Sequence, residues 1–254
     1  MAIPIVVPSM GRPHLLYTHK LFHAGRTEIC VPDNEVGEYK KAHPELTIVG
    51  HPNDIFGLTA KRQWIYEQYG DVIMIDDDIK RVVHMEHGMG DKAHYLDPDE
   101  ATDLVDRIEQ EARDFGAFLF GLASSADIRN YVSLYPFRTT GWVNGGFTGL
   151  LKDSKLAYNS AIHCAEDFWI SALNAYHHRK CWVDTRYALI DIKGGGTMKL
   201  EGGMSFVRNL EREKNDNEIL KTFFGDAIGK HRKSIPGRVQ QLHAFQRSFS
   251  VPWA

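Results

Sequence analysis

Strand and helix signals alternate through the first third of the chain, and no other feature restricts the fold as much. Ile3 to Val7 is an apolar run, followed by the loop Pro8-Ser9-Met10-Gly11-Arg12-Pro13. His14 to Ala24 carries Leu15, Leu16, His19 and Phe22 at helical spacing, with Gly25 as its stop, so a helix is predicted there. Thr27 to Val31 reads as a second strand closed by Pro32-Asp33-Asn34, and Glu35 to Ala42 as a short helix. Leu46 to Val49 is a third strand, then Leu58 to Tyr69 a helix facing inward through Leu58, Ile65 and Tyr69. Val72 to Ile75 is entirely apolar and short, the signature of a strand buried on both faces. Such alternation predicts an α/β fold with a mostly parallel, Rossmann-like central sheet flanked by helices. Loops after parallel strands gather at one sheet edge, where open α/β folds bind ligands.

At that edge the fourth strand delivers Asp76-Asp77-Asp78. Strand alternation sets Asp76 and Asp78 on one side and Asp77 on the other. Two carboxylates about 6.6 Å apart repel by roughly 2.5 kcal/mol at an effective dielectric near 20. A hard divalent cation, Mg²⁺ or Mn²⁺, converts that repulsion into binding. The plainer alternative is a solvated acidic turn or a helix cap. The first loop has neither the Gly-x-Gly-x-x-Gly pattern nor a Walker lysine, so phosphate has to be met by metal and side chains.

Further on, Asp97-Pro98-Asp99-Glu100 is a capping box opening a helix with Ala101, Leu104, Val105, Ile108, Ala112 and Phe115 on one face. Ala117 to Ala123 reads as a strand. In Trp142 to Gly149 the glycines, Gly145 and Gly146 among them, serve as bulges or allow close backbone approach to a ligand. Glu166 and Asp167 open a helix running to about His178; they either complement its dipole or present a general base to a cleft. Trp182 to Ile192 is strand, followed by Lys193-Gly194-Gly195-Gly196-Thr197 with a cation at its lip. From Glu211 the chain is helical and then basic. A core of residues 1–205, with halves 1–80 and 81–205, and a C-terminal extension of 206–254 are therefore expected.

The net charge of −3 excludes a uniformly basic nucleic-acid binder but not a local basic patch. Cys30, Cys164 and Cys181 are odd in number and form no Cys-x-x-Cys pair, which fits reduced thiols and a cytoplasmic location. No signal or transit peptide is expected at the N-terminus, and no apolar run reaches membrane-spanning length.

Pro8-Ser9-x-x-Arg12, Asp33, Lys61-Arg62, Asp76-Asp77-Asp78, a Gly-rich stretch and Glu166-Asp167, in that order over roughly residues 3 to 200, resemble a GT-A glycosyltransferase. The resemblance implies a metal-dependent transfer of sugar from a nucleotide-sugar donor, a UDP-sugar foremost, to an acceptor hydroxyl. Pro8, Ser9, Arg12 and Asp33 would hold the nucleotide base, and Arg62 with Lys61 would approach the base or diphosphate. Asp76 would meet ribose and Asp78 the metal, with Asp77 and the Gly145–Gly146 backbone near the donor. Asp167 or Glu166 would take the acceptor proton. Relatives often place a histidine before the late Gly-rich turn; here that segment offers Asp191 as a metal ligand or Lys193 as a phosphate contact, with His231 and His243 as later alternatives.

Two rivals share these features: a nucleotidyltransferase on a related fold, and a non-catalytic nucleotide-sugar-binding domain. The acceptor is addressed by the tail, where Lys230, Arg232, Lys233, Arg238 and Arg247 stand against Asp226 with Phe245, Phe249 and Trp253 between them. That segment either docks back on the core or follows a phosphate backbone and stacks on bases. The compact chain is similar to phage enzymes that glycosylate hydroxymethylated DNA bases, which would imply a DNA acceptor and, for a viral protein, the host cytoplasm.

Overall fold

The computed structural model describes residues 2–87, 92–192, 208–230 and 247–250. From the second strand onward the first half alternates as the sequence pattern predicts, but no α-helix separates the first strand from the second. Strand β1 (Ile5–Pro8), β2 (Thr27–Pro32), helix α1 (Val36–Ala42), β3 (Thr47–His51), α2 (Leu58–Tyr69) and β4 (Val72–Ile75) follow in order. The second half contains β5 (Ile79–His84), β6 (His94–Tyr95), α3 (Pro98–Phe115), β7 (Leu119–Ala123), β8 (Phe137–Arg138) and β9 (Phe147–Leu150). Then come α4 (Glu166–His178), β10 (Trp182–Asp191), α5 (Leu210–Phe224) and the small ribbon of β11 (Ile228–Lys230) and β12 (Arg247–Phe249).

A single mixed sheet runs through the core in the order β3-β2-β1-β4-β9-β7-β10-β5-β6, with β8 on β10. The strands β3, β2, β1 and β4 are parallel to one another. Strand β9 lies antiparallel between β4 and β7. Strand β10 is parallel to β7 but antiparallel to β5. The result is an α/β domain with mostly parallel central strands and helices on both faces.

All four residues of β4 are fully buried. Ile73 and Ile75 pack with Leu104, Val105 and Ile108 of α3 on one face. Val72 and Met74 pack with Ile65 of α2 and Ile170 of α4 on the other. Each such side chain contributes about 1.5–3 kcal/mol of transfer free energy, which makes β4 the anchor for the aspartates that follow. Helix α3 has its capping box, with Glu100 N donating to Asp97 and Asp97 N donating to Glu100. Its apolar face is buried except for Phe115, which is half-exposed at the C-terminal end.

The stretch after β1 departs from expectation. His14 to Ala24 is not one helix but two 3₁₀ turns, Pro13–Leu15 and Thr18–Leu21. Tyr17 N and Thr18 N donate to Asp77 O, and Thr18 Oγ1 donates to Asp76 O at 2.5 Å. These bonds to the aspartate loop take the donors that a continuous helix would need, so tertiary pairing overrides local periodicity.

The Gly-rich run also serves packing. The Phe120 ring lies over Gly149, its partner in the β7–β9 ladder, where a Cβ would fall 2.2 Å from the ring. Among the described residues no helix is long and apolar enough to cross a membrane.

Candidate active site

Strand direction brings the chemistry together. Because β9 runs antiparallel to β4, the loop entering β9 lies where β4 ends, and Asp76 N donates to Gly146 O at 3.2 Å. Because β10 runs antiparallel to β5, its end meets the start of β5. Asp191 pairs with Ile79, and Ile192 N donates to Asp78 O at 3.1 Å. Ser171 of α4 accepts from Val143 N at 3.0 Å, which ties α4 to the stretch leading into the same loop.

A cleft of about 360 Å³ opens at this junction. Asp76, Asp78, Glu166, Asp167 and Asp191 all line it, drawn from three separated stretches of sequence. Gly145 and Gly146 form part of its wall. Gly145 lies close against the acids: a Cβ there would sit 3.4 Å from both Glu166 Oε1 and Asp167 Cβ.

Arg62 organises the floor. It is fully buried, and its Nη2 donates to Asp76 at 2.8 Å and to Gly145 O at 2.7 Å. Burial alone would lower its pKa, but Asp76 and Glu166 carry it above the ordinary value. Arg62 thus serves Asp76 directly and Glu166 through its charge, while Arg208 also lines the cleft. Burial pushes the Asp76 pKa up to about 6 against the pull of Arg62, with Asp77 and Glu166 adding to the rise. The Asp76 side chain is still 38% exposed and so open to a ligand. Glu166 and Asp167 are likewise raised by burial; Arg62 opposes both shifts, and the Phe168 N–H, which donates to Asp167 at 2.8 Å, opposes the second.

Asp78, Asp76 and Asp191 supply only oxygen donors to the cleft, although their carboxylates do not all lie within 4.8 Å of one another. That donor set fits a hard divalent cation such as Mg²⁺ or Mn²⁺.

The remaining residues implied by the resemblance lie elsewhere. Asp77 points away from the cleft, is 1% exposed, and takes a bidentate contact from Arg12 at 2.9 and 2.5 Å. Ser9 Oγ donates to the same carboxylate at 2.5 Å. Lys61 is buried with its ammonium on Ser9 O at 2.5 Å, and burial lowers its pKa to about 8. Pro8 is buried at the end of β1. Asp33 is exposed, its carboxylate lying over Gly50. Thus Ser9, Arg12, Lys61 and Asp77 form a knot beneath the loop, and none of them lines the cleft.

Lys193, Arg232, Lys233, Arg238, His231 and His243 lie outside the described residues, as does the side chain of Lys230. Arg247 is described and is 5% exposed at its side chain, donating to Glu213 O at 2.9 Å and to its carboxylate at 2.8 Å. Phe249 packs with Trp169 and Leu220. These two tail residues are therefore docked on the core.

Sequence reasoning passed over Asn144, Ser124 and Arg208, all of which line the cleft. Asn144 had a usable signal, since it begins the Gly145–Gly146 turn and accepts from Gly146 N at 3.1 Å. Arg208 had none, because it arrives from the segment before α5. The same helix supplies buried Asp216, which accepts from His163 N and Cys164 N at 2.6 to 3.1 Å and so braces the loop leading into Glu166.

A family model described as TET-Associated Glycosyltransferase matches residues 3–197. No curated protein matches the chain. Among solved structures, the A197 protein from STIV is similar at 11% identity and a TM-score of 0.38, over 76% of this chain and 86% of that one. A CMP:2-keto-3-deoxy-manno-octonic acid synthetase complexed with CTP is similar at 15% identity and a TM-score of 0.31, over 48% of this chain and 52% of that one. Mouse xyloside xylosyltransferase 1 is similar at 10% identity and a TM-score of 0.27, over 47% and 52%. The chain thus spans about half the length of the synthetase and of the xylosyltransferase, and no functional argument rests on scores this low.

Proposed function

Because the chain belongs to the TET-associated glycosyltransferase family, we propose that its carboxylate cleft moves a sugar from a nucleotide-sugar donor, a UDP-sugar foremost, to an acceptor hydroxyl. The convergence of Asp76, Asp78, Asp191, Glu166 and Asp167 on one cleft supports this reading best. Asp78, Asp76 and Asp191 would hold Mn²⁺ or Mg²⁺, which when bound supplies charge neutralisation for a diphosphate leaving group. Arg62 keeps Asp76 ionised and orients it through their 2.8 Å contact. Leu122, Phe147 and Leu189 give the cleft apolar walls that exclude water from the reacting sugar.

Asp167 is the base in this proposal. It is half-buried on the cleft wall, whereas Glu166 is 6% exposed and faces Arg62. Burial keeps the Asp167 pKa raised against the pull of the Phe168 N–H and Arg62, which makes it a better proton acceptor than an ordinary aspartate.

The test is incubation with Mn²⁺ and a panel of nucleotide-sugars, following release of nucleoside diphosphate. Asp167→Asn should lower turnover by about 10²–10⁴-fold with donor binding retained. Pyrophosphate release from a nucleoside triphosphate would instead support a nucleotidyltransferase, and no release from any donor a binding domain.

For the acceptor, the proposal is a hydroxyl on a modified base in DNA, supported by the cations Lys230, Arg232, Lys233 and Arg238. Duplex binding should weaken steeply with salt. Replacing Lys230, Arg232 and Lys233 by Ala should flatten the log–log salt slope by up to about 2.7 if all three meet phosphates. Salt-independent binding, with transfer to small sugars alone, would discard the DNA acceptor and keep the donor chemistry.

A further inference from the structure

A second cluster of metal-ligating side chains lies outside the cleft. His19 sits in the 3₁₀ turn Thr18–Leu21, His43 caps the C-terminus of α1, and Glu45 follows two residues later. One donor atom from each lies within 4.8 Å of the other two.

The hydrogen bonding of His43 selects its ligand atom. Its Nε2 lies 2.7 Å from Pro13 O. A carbonyl only accepts, so Nε2 carries the proton, and in the neutral ring the lone pair is on Nδ1. Metal-binding histidines are oriented by just such a second N–H bond to a backbone carbonyl. His43 Nδ1 faces Glu45 Oε1 at 3.5 Å, long for a hydrogen bond. Two ligands of a tetrahedral zinc at about 2.0–2.1 Å would stand about 3.4 Å apart. His19 meets His43 edge to face, ring centroids 5.3 Å apart, and its Nδ1 is buried with no hydrogen-bond partner. A proton on His43 would serve the contact with Glu45 but leave His19 Nδ1 unsatisfied beside a positive ring. A metal cation can serve all three groups at once.

We propose that His19, His43 and Glu45 form a second metal site, selective for a borderline divalent cation of the Zn²⁺ class. Two imidazoles and one carboxylate suit that class, whereas the all-oxygen cleft suits Mg²⁺ or Mn²⁺. The site is a staple. It ties the 3₁₀ turn to the α1–β3 connection, and Thr18, next to His19, already bonds both sides of the aspartate loop through Asp76 O and Ile79 N.

The test uses the full chain stripped with a chelator, then titrated with Zn²⁺ alone against a chromogenic competitor. One equivalent should bind tightly and raise the melting temperature. His43→Gln and His19→Ala should each weaken Zn²⁺ binding by more than the roughly 10–100-fold typical of losing a residue that only supports a ligand. Glu45→Ala is an exposed change that cannot prevent folding; it should match wild type in chelator yet lose most of the zinc-induced rise in melting temperature. Asp78→Asn should bind Zn²⁺ at this site as wild type does. Absence of tight Zn²⁺ binding in wild type, or binding unchanged in all three ligand variants, would overturn the proposal. So would loss of that binding in Asp78→Asn alone, which would move the zinc to the cleft.

Discussion

Asp76, Asp77 and Asp78 are consecutive and chemically identical, yet their surroundings differ completely. Asp77 is sealed on one side of the strand end, where Arg12 and Ser9 satisfy its carboxylate. Asp76 and Asp78 face the other side with Asp191, Glu166 and Asp167, where Arg62 is shared among several acids. One side compensates its charge inside the fold and is a structural knot. The other gathers five acids on an open cleft, the side on which the proposed ligand would sit. An aspartate's role here follows from which side of the strand its position selects, not from its residue type.

The sharpest way to break this comparison is to make the same substitution on each side. Asp78→Asn keeps the shape and removes the charge, so transfer and Mn²⁺-dependent stabilisation by nucleoside diphosphate should both vanish. Unchanged activity would remove Asp78 from the metal site. Asp77→Asn should instead cost stability, about 3–5 kcal/mol for breaking a buried pair, because Arg12 is left without its anion. Chemical denaturation measures it. A loss under about 1 kcal/mol would show the knot to be no stronger than an ordinary surface pair.

A smaller effect is expected where the fold alone is at stake. Gly149→Ala puts a methyl into the Phe120 ring and should destabilise by about 1–3 kcal/mol through overpacking. Gly149 is on β9, whose start carries the Gly145–Gly146 wall, so donor binding is the informative second readout. Loss of stability with donor affinity intact would separate the packing glycine from the two that line the cleft.

Much of this was legible in the sequence. The run Val72–Ile75 gives β4 because apolar residues on both faces of a strand permit only burial between layers. The α3 capping box and the spans of α2 and α4 are local signals and emerge as read. The five cleft acids were all named from sequence, because each stands at a strand end or a helix start, where the loops of an α/β sheet gather. What escaped was non-local. The 3₁₀ turns depend on Asp76 and Asp77 carbonyls some sixty residues away. The burial of Lys61 and Arg62 depends on Ser9, Asp76 and Gly145 being there to receive them. The position of Ser9 and Arg12 after β1 is visible in sequence, while their hydrogen bonds to Asp77 are not.

The smallest effect is a change of slope, and it decides on which side of the comparison Glu166 belongs. Burial raises the pKa values of Glu166 and Asp76 above those of the unfolded chain. The native state then holds these protons more tightly than the unfolded state. Their contribution to stability is fully present below the ordinary carboxylate pKa, near 4, and is lost as pH rises through the raised values. In chelator, Glu166→Gln behaves like the protonated acid at every pH. Its melting temperature should therefore lie close to that of wild type at about pH 4.5 and move above it by about pH 8. Saturating Mn²⁺ should shrink the gap by compensating the wild-type cleft. If the variant instead falls behind as pH rises, attraction to Arg62 outweighs the cost of burial. Glu166 would then be a structural anion held by Arg62, leaving Asp76, Asp78, Asp167 and Asp191 as the acids through which the cleft meets its proposed ligand.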